Sequence, residues 1–267
     1  MSLDFPAYQV GRYTVTLAKN TADIAEAQAF RAKRFGLCCA LDVDALDAAC
    51  DHIVIRDGDS GTIVCCYRLL PVSGDTLSES YAAQFYDVSA LTGFGGQMLE
   101  IGRFCIDPER RDPDILRLAW AAMTEYVDAH KVTLLFGCSS FTGTDPEQYK
   151  DAFAYLRQKA LAPSRWAPGR MANDICCFGD DIGRGREKRH ALRQMPPLLR
   201  TYLCMGGWVS DHAVIDRAMN TLHVFTGVEI AGIPPERQRL LRALRRNGRS
   251  ASSLLWQKSI DLAASAP

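Results

Sequence analysis

The stretch MLEIGRFCIDPERRDPDILRLAWAAM, residues 98–123, reads as a strand, a charged turn and a helix. Pro113 suits a first helical turn, where its missing N–H costs nothing. From there Ile115, Leu118, Ala119, Ala122 and Val127 recur on one buried side. The strand half poses a problem, because it holds Glu100 and Arg103. An ionised carboxylate without a partner is expensive in a core. Either the two charges neutralise each other there, or one of them works on a substrate.

Working outward, VTLLFGCSSF (132–141) predicts the next strand and DPEQYKDAFAYLRQKA (145–160) the next helix. That β-α-β-α order predicts parallel neighbouring strands with right-handed crossovers. Upstream, YTVTLA (13–18) alternates like a strand, and TADIAEAQAFRAKRF (21–35) follows with Thr21 as its cap and Ile24, Ala27, Gln28 and Phe35 marking helical turns. HIVIRD (52–57) and TIVCCYRLLP (62–71), joined across Gly58 to Gly61, predict a hairpin. SYAAQFYDVSAL (80–91) reads as short helix, YLCMGGWVSDHAVID and TLHVFTGVEI as late strands. The expectation is an α/β chain with a mixed central sheet flanked by helices. It forms one domain over 1–267, with a variable insertion near 162–200 and a basic C-terminal helix at 234–250.

Composition narrows the classes. With 267 residues, 48% hydrophobic and 23% charged, the chain has material for a sizeable core. No apolar run approaches the roughly 18 residues of a membrane span, and MSLDFPAYQVGRYTV has no basic region followed by an apolar signal core. This places the protein in the cytoplasm, with a peripheral position on the inner face of the membrane left open. The ten cysteines include three adjacent pairs and no C-x-x-C, so most read as small buried hydrophobes and no metal site is expected. Zero net charge argues against nucleic-acid binding. The charge is uneven, however: residues 1–100 carry 7 Lys and Arg against 13 Asp and Glu, and residues 181–267 carry 14 against 7. A basic lobe of this kind is either a solvated helical surface or a dock for an acidic partner or anionic membrane.

Phosphate-loop, dinucleotide, zinc-protease and nucleophile-elbow motifs are all absent. The five histidines are scattered, and His52 and His223 fall within expected strands, where a hydrogen-bonded structural role suits them. What remains is a set of charges at strand ends.

Arg31 and Phe35 (R-x-x-x-F), Asp44 and Asp47 (D-x-x-D), Arg68 to Pro71 (R-L-L-P) and Glu100 with Arg103 (E-x-x-R) resemble the acyl-homoserine-lactone synthases, which are GNAT-like N-acyltransferases. LEIGRFCIDPERRDPDILRLAW, LLFGCSSFTGTDPEQY, MPPLLRTYLCMGGWVSDHAVID and TLHVFTGVEI resemble more closely the ornithine N-acyltransferases that make lyso-ornithine lipid, once labelled hemolysin-like. The tryptophan that the lactone synthases place soon after the first-helix phenylalanine is missing, which argues against a lactone product.

The resemblance implies a GNAT-like acyl-CoA N-acyltransferase fold and transfer of a 3-hydroxyacyl chain from acyl carrier protein to the α-amine of ornithine. Related enzymes use glutamine instead, and a lactone synthase or a membrane-active protein are the other classes. No tightly bound cofactor is implied, since the donor is the acyl-phosphopantetheine of the carrier. Glu100 is the candidate base for an amine that is mostly protonated at neutral pH. Its other reading is an internal pair with Arg103. Arg68 and Arg103 match a carboxylate with parallel hydrogen bonds. Asp44, Asp47 and Asp51 suit a cationic side chain or organise their loop, beside Arg31 and Phe35. Ser139 or Tyr149 is placed to return a proton to the departing thiol, and Phe104, Leu135, Phe136, Phe141 and Trp120 are candidate linings for the chain. The turn PERRDPDILR lacks the glycines that cradle a pyrophosphate, but Arg110 and Arg111 suit one phosphodiester. Arg184, Arg186, Lys188 and Arg189, or Arg237 to Arg246, suit an acidic carrier or anionic lipid.

Overall fold

A computed structural model describes residues 7–110, 112–179 and 188–246. The strands are β1 (Tyr8–Val10), β2 (Tyr13–Leu17), β3 (Asp51–Asp57), β4 (Ile63–Val72), β5 (Tyr86–Asp87), β6 (Gln97–Ile106), β7 (Val132–Thr142), β8 (Gly169–Arg170), β9 (Ile175–Cys177), β10 (Trp208–Val209), β11 (His212–Asp216) and β12 (Thr221–Glu229). The helices are α1 (Thr21–Phe35), α2 (Pro113–His130), α3 (Lys150–Lys159), α4 (Lys188–Gln194), α5 (Pro197–Cys204) and α6 (Pro235–Arg246). They fall into two compact units, and the boundary between these passes through β6 after Glu100.

The first unit takes the chain up to Pro71, Ile101–Val132 and α6. Here β1, β2, β3 and β4 form successive antiparallel pairs. The expected hairpin is β3 with β4, shifted by one residue between Ile55 and Arg56. Ile63 to Leu70 is buried without interruption, so β4 is a fully covered strand. Residues 101–106 run along it: Phe104 stacks on Tyr67 with ring centroids 5.1 Å apart, and Asp107 donates its N–H to the Val64 carbonyl. Ala27, Val54, Ile63, Cys66 and Cys105 make a core cluster, with Phe35 packed against it.

Helix ends explain where the elements stop. The cap of α1 is Asn20, not Thr21: its side chain accepts the Asp23 N–H, which satisfies a donor that the first turn leaves open. Gly36, at φ 66°, closes the other end in the left-handed conformation that glycine adopts without strain. Asp112 caps α2 with Pro113 in its first turn. All five residues expected on its buried side are buried, with Trp120, Ala121, Met123 and Tyr126 besides.

The second unit holds Val72–Glu100 and Thr133–Pro234 among the described residues. β12 pairs antiparallel with β7 over nine residues, then with β11, which pairs with β9. On one face Phe141, Val224 and Leu222 meet Phe153 and Leu156 of α3 and Leu199 of α5. Three expectations change. Residues 80–91 form short 3-10 turns and β5 rather than a helix. Tyr202 to Cys204 ends α5 instead of starting a strand, because Pro197 opens a helix there whose Leu199 and Tyr202 turn into the core. Only Cys65, Cys66 and Cys105 are buried; the other seven cysteines are half-buried or exposed.

Candidate active site

Residues from five stretches of the first unit meet in one ion cluster. Helix α1 presents Gln28 and Arg31 one turn apart on the same face. After Gly36 an extended loop carries Asp42 and Asp44, and Asp44 caps the 3-10 turn Ala45–Ala48 in a reciprocal capping box with Asp47. His52 on β3 lies opposite Arg68 on β4 in the strand register. Arg103 comes from β6.

Arg31 is 1% exposed. Its Nε donates to Asp42 Oδ2 at 2.9 Å, and its Nη2 donates to both Asp47 oxygens, at 3.0 and 2.9 Å, and to the Asp42 carbonyl. Arg68 Nη1 donates to Asp44 Oδ1 at 2.6 Å and to Asp47 Oδ1 at 2.9 Å. Arg103 donates from Nε to Asp42 Oδ2 at 2.9 Å and from Nη2 to Asp44 Oδ2 at 3.1 Å. Gln28 adds a bond to Asp47 at 2.8 Å. Taking such charges out of water is affordable only when each is met by an opposite charge and its remaining polar atoms are hydrogen-bonded.

The electrostatics follow. Burial works to raise the Asp47 pKa, but hydrogen bonds from Arg31 and Gln28 outweigh it and hold the carboxyl below its usual range. Asp44 is likewise lowered, its burial overcome by Arg68, Arg103 and the Leu46 N–H. Burial tends to lower the Arg68 pKa, yet Asp44 raises it overall. Burial lowers His52, against the pull of its bond to the Asp47 carbonyl at 2.9 Å. This is the structural role read for His52.

Two backbone features aim the side chains. Arg103 has φ 53°, a left-handed conformation rare for a bulky residue within a strand, and one that redirects a side chain out of the regular pleat. At Gly102 a Cβ would stand 3.2 Å from Arg68 Nε, so glycine leaves room for that guanidinium to pass.

Of the residues singled out in the sequence, Arg31, Asp44, Asp47, Arg68 and Arg103 meet here. Asp51 does not join them; it accepts the Tyr126 hydroxyl at 2.6 Å. Asp42 was missed. The signal was present in Leu41-Asp42-Val43-Asp44, because alternate residues of an extended segment share a side. Phe35 packs in the core, and Phe104 is half-buried on Tyr67.

In the second unit Glu100 is 3% exposed and accepts two backbone N–H groups, Tyr81 at 2.8 Å and Ala82 at 2.7 Å. Ser139 is buried and accepts the Thr226 hydroxyl at 2.9 Å. Phe141 lies in the core, and Tyr149 donates its hydroxyl to the Thr142 carbonyl at 2.6 Å. His223 Nδ1 meets the Tyr86 hydroxyl at 3.2 Å, a structural position as expected. Arg110 is partly exposed and pairs with Asp57 at 3.1 Å. Lys188 begins α4, half-buried. Arg111 and Arg184 lie outside the described residues, as do Arg186 and residues 247–250 of the expected basic helix.

Residues 26–121 match the acetyltransferase (GNAT) domain model. The chain is 33% identical over 190 residues to the L-ornithine N(alpha)-acyltransferase of Rhodobacter capsulatus, covering 69% of this chain and 73% of the relative. It is 31% identical over 238 residues to the enzyme of the same name from Agrobacterium fabrum, covering 86% and 78%. The chain belongs to the L-ornithine N(alpha)-acyltransferase family. It is therefore an acyltransferase with the GNAT fold, a mixed sheet flanked by helices, as its motifs implied. A shorter match, 41% over 64 residues, links this acyltransferase to the acyl-homoserine-lactone synthase of Agrobacterium fabrum, covering 23% of this chain and 30% of that one. No helix among the described residues of the acyltransferase is long and apolar enough to cross a membrane.

Proposed function

We propose that this acyltransferase moves a 3-hydroxyacyl chain from the phosphopantetheine of acyl carrier protein to the α-amine of L-ornithine, making a lyso-ornithine lipid. The observation that carries the reading is the cluster of Arg31, Arg68 and Arg103 with three aspartates in a chain whose relatives bear that name. Arg68 and Arg103 seat the acceptor's carboxylate, for which a guanidinium has matching geometry. Glu100 takes the proton that leaves the ammonium. The freed amine attacks the thioester carbonyl, the N–C bond forms, the C–S bond breaks, and the thiol departs with a proton returned by way of Ser139.

The start of α2 supports a carrier protein over coenzyme A. In that turn Asp112 places a carboxylate at the helix N-terminus, accepting the Asp114 N–H at 2.9 Å and the Tyr13 hydroxyl at 2.7 Å. A pyrophosphate would meet a negative charge where it needs donors. Arg110, partly exposed beside Asp57, is the cation offered to a single phosphodiester, and Arg237, Arg239 and Arg242 of α6 complement an acidic carrier or the anionic membrane into which the product passes.

The test is thiol release from 3-hydroxyacyl carrier protein with ornithine and glutamine offered separately, product mass confirming the bond formed. Release with ornithine alone is expected. Release with glutamine alone moves the acceptor, release with neither sinks the function, and equal rates from the coenzyme A thioester overturn the donor.

A further inference from the structure

Every guanidinium of the cluster already holds carboxylates: Arg31 holds Asp42 and Asp47, Arg68 holds Asp44 and Asp47, and Arg103 holds Asp42 and Asp44. An amino-acid acceptor brings one more. Seating it on Arg68 and Arg103 sets a fourth anion against three cations unless one of the aspartates leaves.

Two of the three are locked. Asp47 is 6% exposed at its side chain and takes bonds from Arg31, Arg68 and Gln28. Asp42 is 7% exposed, shares one oxygen between Arg31 and Arg103, and is held by its backbone at both N–H and carbonyl. Asp44 differs in exposure and in the pair of arginines that it holds. Its side chain is 25% exposed, and it alone bridges Arg68 to Arg103, the two groups assigned to the acceptor. Its own N–H is retained by Asp47 at 3.3 Å, so the side chain can leave while the backbone stays. The outward side of the same loop is open, with Leu41 39% and Val43 63% exposed.

We propose that Asp44 is a stand-in for the acceptor's α-carboxylate: on binding, the substrate carboxylate takes its place on Arg68 Nη1 and Arg103 Nη2, and the Asp44 side chain turns outward, releasing the Leu46 N–H that it caps. This deepens the proposed function and rests on its assignment of Arg68 and Arg103. The exchange keeps three anions on three cations before and after binding, so Arg68 and Arg103 each keep two carboxylate partners, Asp47 or Asp42 and the one exchanged. It also makes opening selective, because only a ligand with a carboxylate can replace one. The cost is affinity: a seat open about one-tenth of the time weakens apparent binding about tenfold.

The probes are L-norvaline, which has the amino-acid carboxylate and no side-chain amine, and 1,4-diaminobutane, which has the amines and no carboxylate. Their dissociation constants are measured by calorimetry on the wild-type protein and on Asp44→Asn, which keeps the capping oxygen and loses the charge. Norvaline should bind about tenfold more tightly to the variant, and diaminobutane should be unchanged. Unchanged or weaker norvaline binding overturns the exchange, and weaker diaminobutane binding means that Asp44 grips the side-chain amine instead. Should the variant not fold, hydrogen exchange on the wild-type protein decides: the Leu46 amide should exchange faster with norvaline, and no change refutes the proposal. Failure of ornithine turnover sinks the acceptor assignment alone, since norvaline reports on the carboxylate whatever side chain the acceptor has.

Discussion

Arg103 and Asp42 stand 61 positions apart in the chain and meet at 2.9 Å, guanidinium Nε to carboxylate Oδ2. The same oxygen takes Arg31 Nε at 2.9 Å, so one aspartate ties helix α1 to strand β6. Asp42→Ala would leave two guanidiniums short of a partner. Truncating one member of a buried pair costs about 3–5 kcal/mol. Urea unfolding should show a loss of that size, with Asp42→Asn losing less because it keeps an acceptor. A loss below about 0.5 kcal/mol would place Asp42 with ordinary surface substitutions.

Glu100→Gln puts an amide where a carboxylate accepts two backbone N–H groups. If the carboxylate takes the substrate's proton, kcat should fall by about two to four orders of magnitude. Norvaline affinity should hold. Transfer at the wild-type rate would return Glu100 to a purely structural role, fixing the turn at Tyr81 and Ala82.

Burial lowers the His223 pKa from its ordinary value of 6.5 to about 4, with Asp216 opposing and His212 adding to the shift. The native state therefore keeps this imidazole neutral while the unfolded chain takes up a proton below pH 6.5. The unfolded state binds more protons in that window, so stability rises with pH and is lost as pH falls from 6.5 toward 4. The full loss is on the order of 3 kcal/mol. Unfolding midpoints at pH 7 and pH 5 should separate accordingly, and His223→Gln should narrow the gap; an undiminished gap in the variant assigns it to other groups. Asp44 and Asp47, lowered in the fold, add a loss at more acid pH, as it falls through the ordinary carboxylate range toward their native values.

Gly102→Ala sets a methyl 3.2 Å from Arg68 Nε. Arg68 is pinned by Asp44 and Asp47 and has little freedom to withdraw. Crowding of this kind costs about 1–3 kcal/mol. We expect the acceptor KM to rise with a smaller change in kcat, read from initial rates. An unchanged KM would show that Arg68 does not touch the acceptor.

Much of this was legible in the residues themselves. Periodicity marked α1, α2 and the β3–β4 hairpin, and Pro113 placed the start of α2, because those signals act between residues a few positions apart. The R-x-x-x-F, D-x-x-D, R-L-L-P and E-x-x-R pairs named the charged residues and, with the longer motifs, the family. Local pattern failed where packing decided: Tyr202 to Cys204 read as the start of a late strand yet end a helix, because Leu199 and Tyr202 turn into the core.

The sequence by itself determined that the chain is an α/β acyltransferase and pointed to Arg31, Asp44, Asp47, Arg68 and Arg103, which meet in its buried ion cluster. Tertiary structure alone decided who holds whom: Asp42 shared by Arg31 and Arg103, Asp51 diverted to Tyr126, Glu100 bound to the Tyr81 and Ala82 amides. The reason is physical. A buried charge takes the nearest opposite charge or N–H that the fold brings within 3 Å, and that distance depends on how far-separated segments pack, not on spacing along the chain.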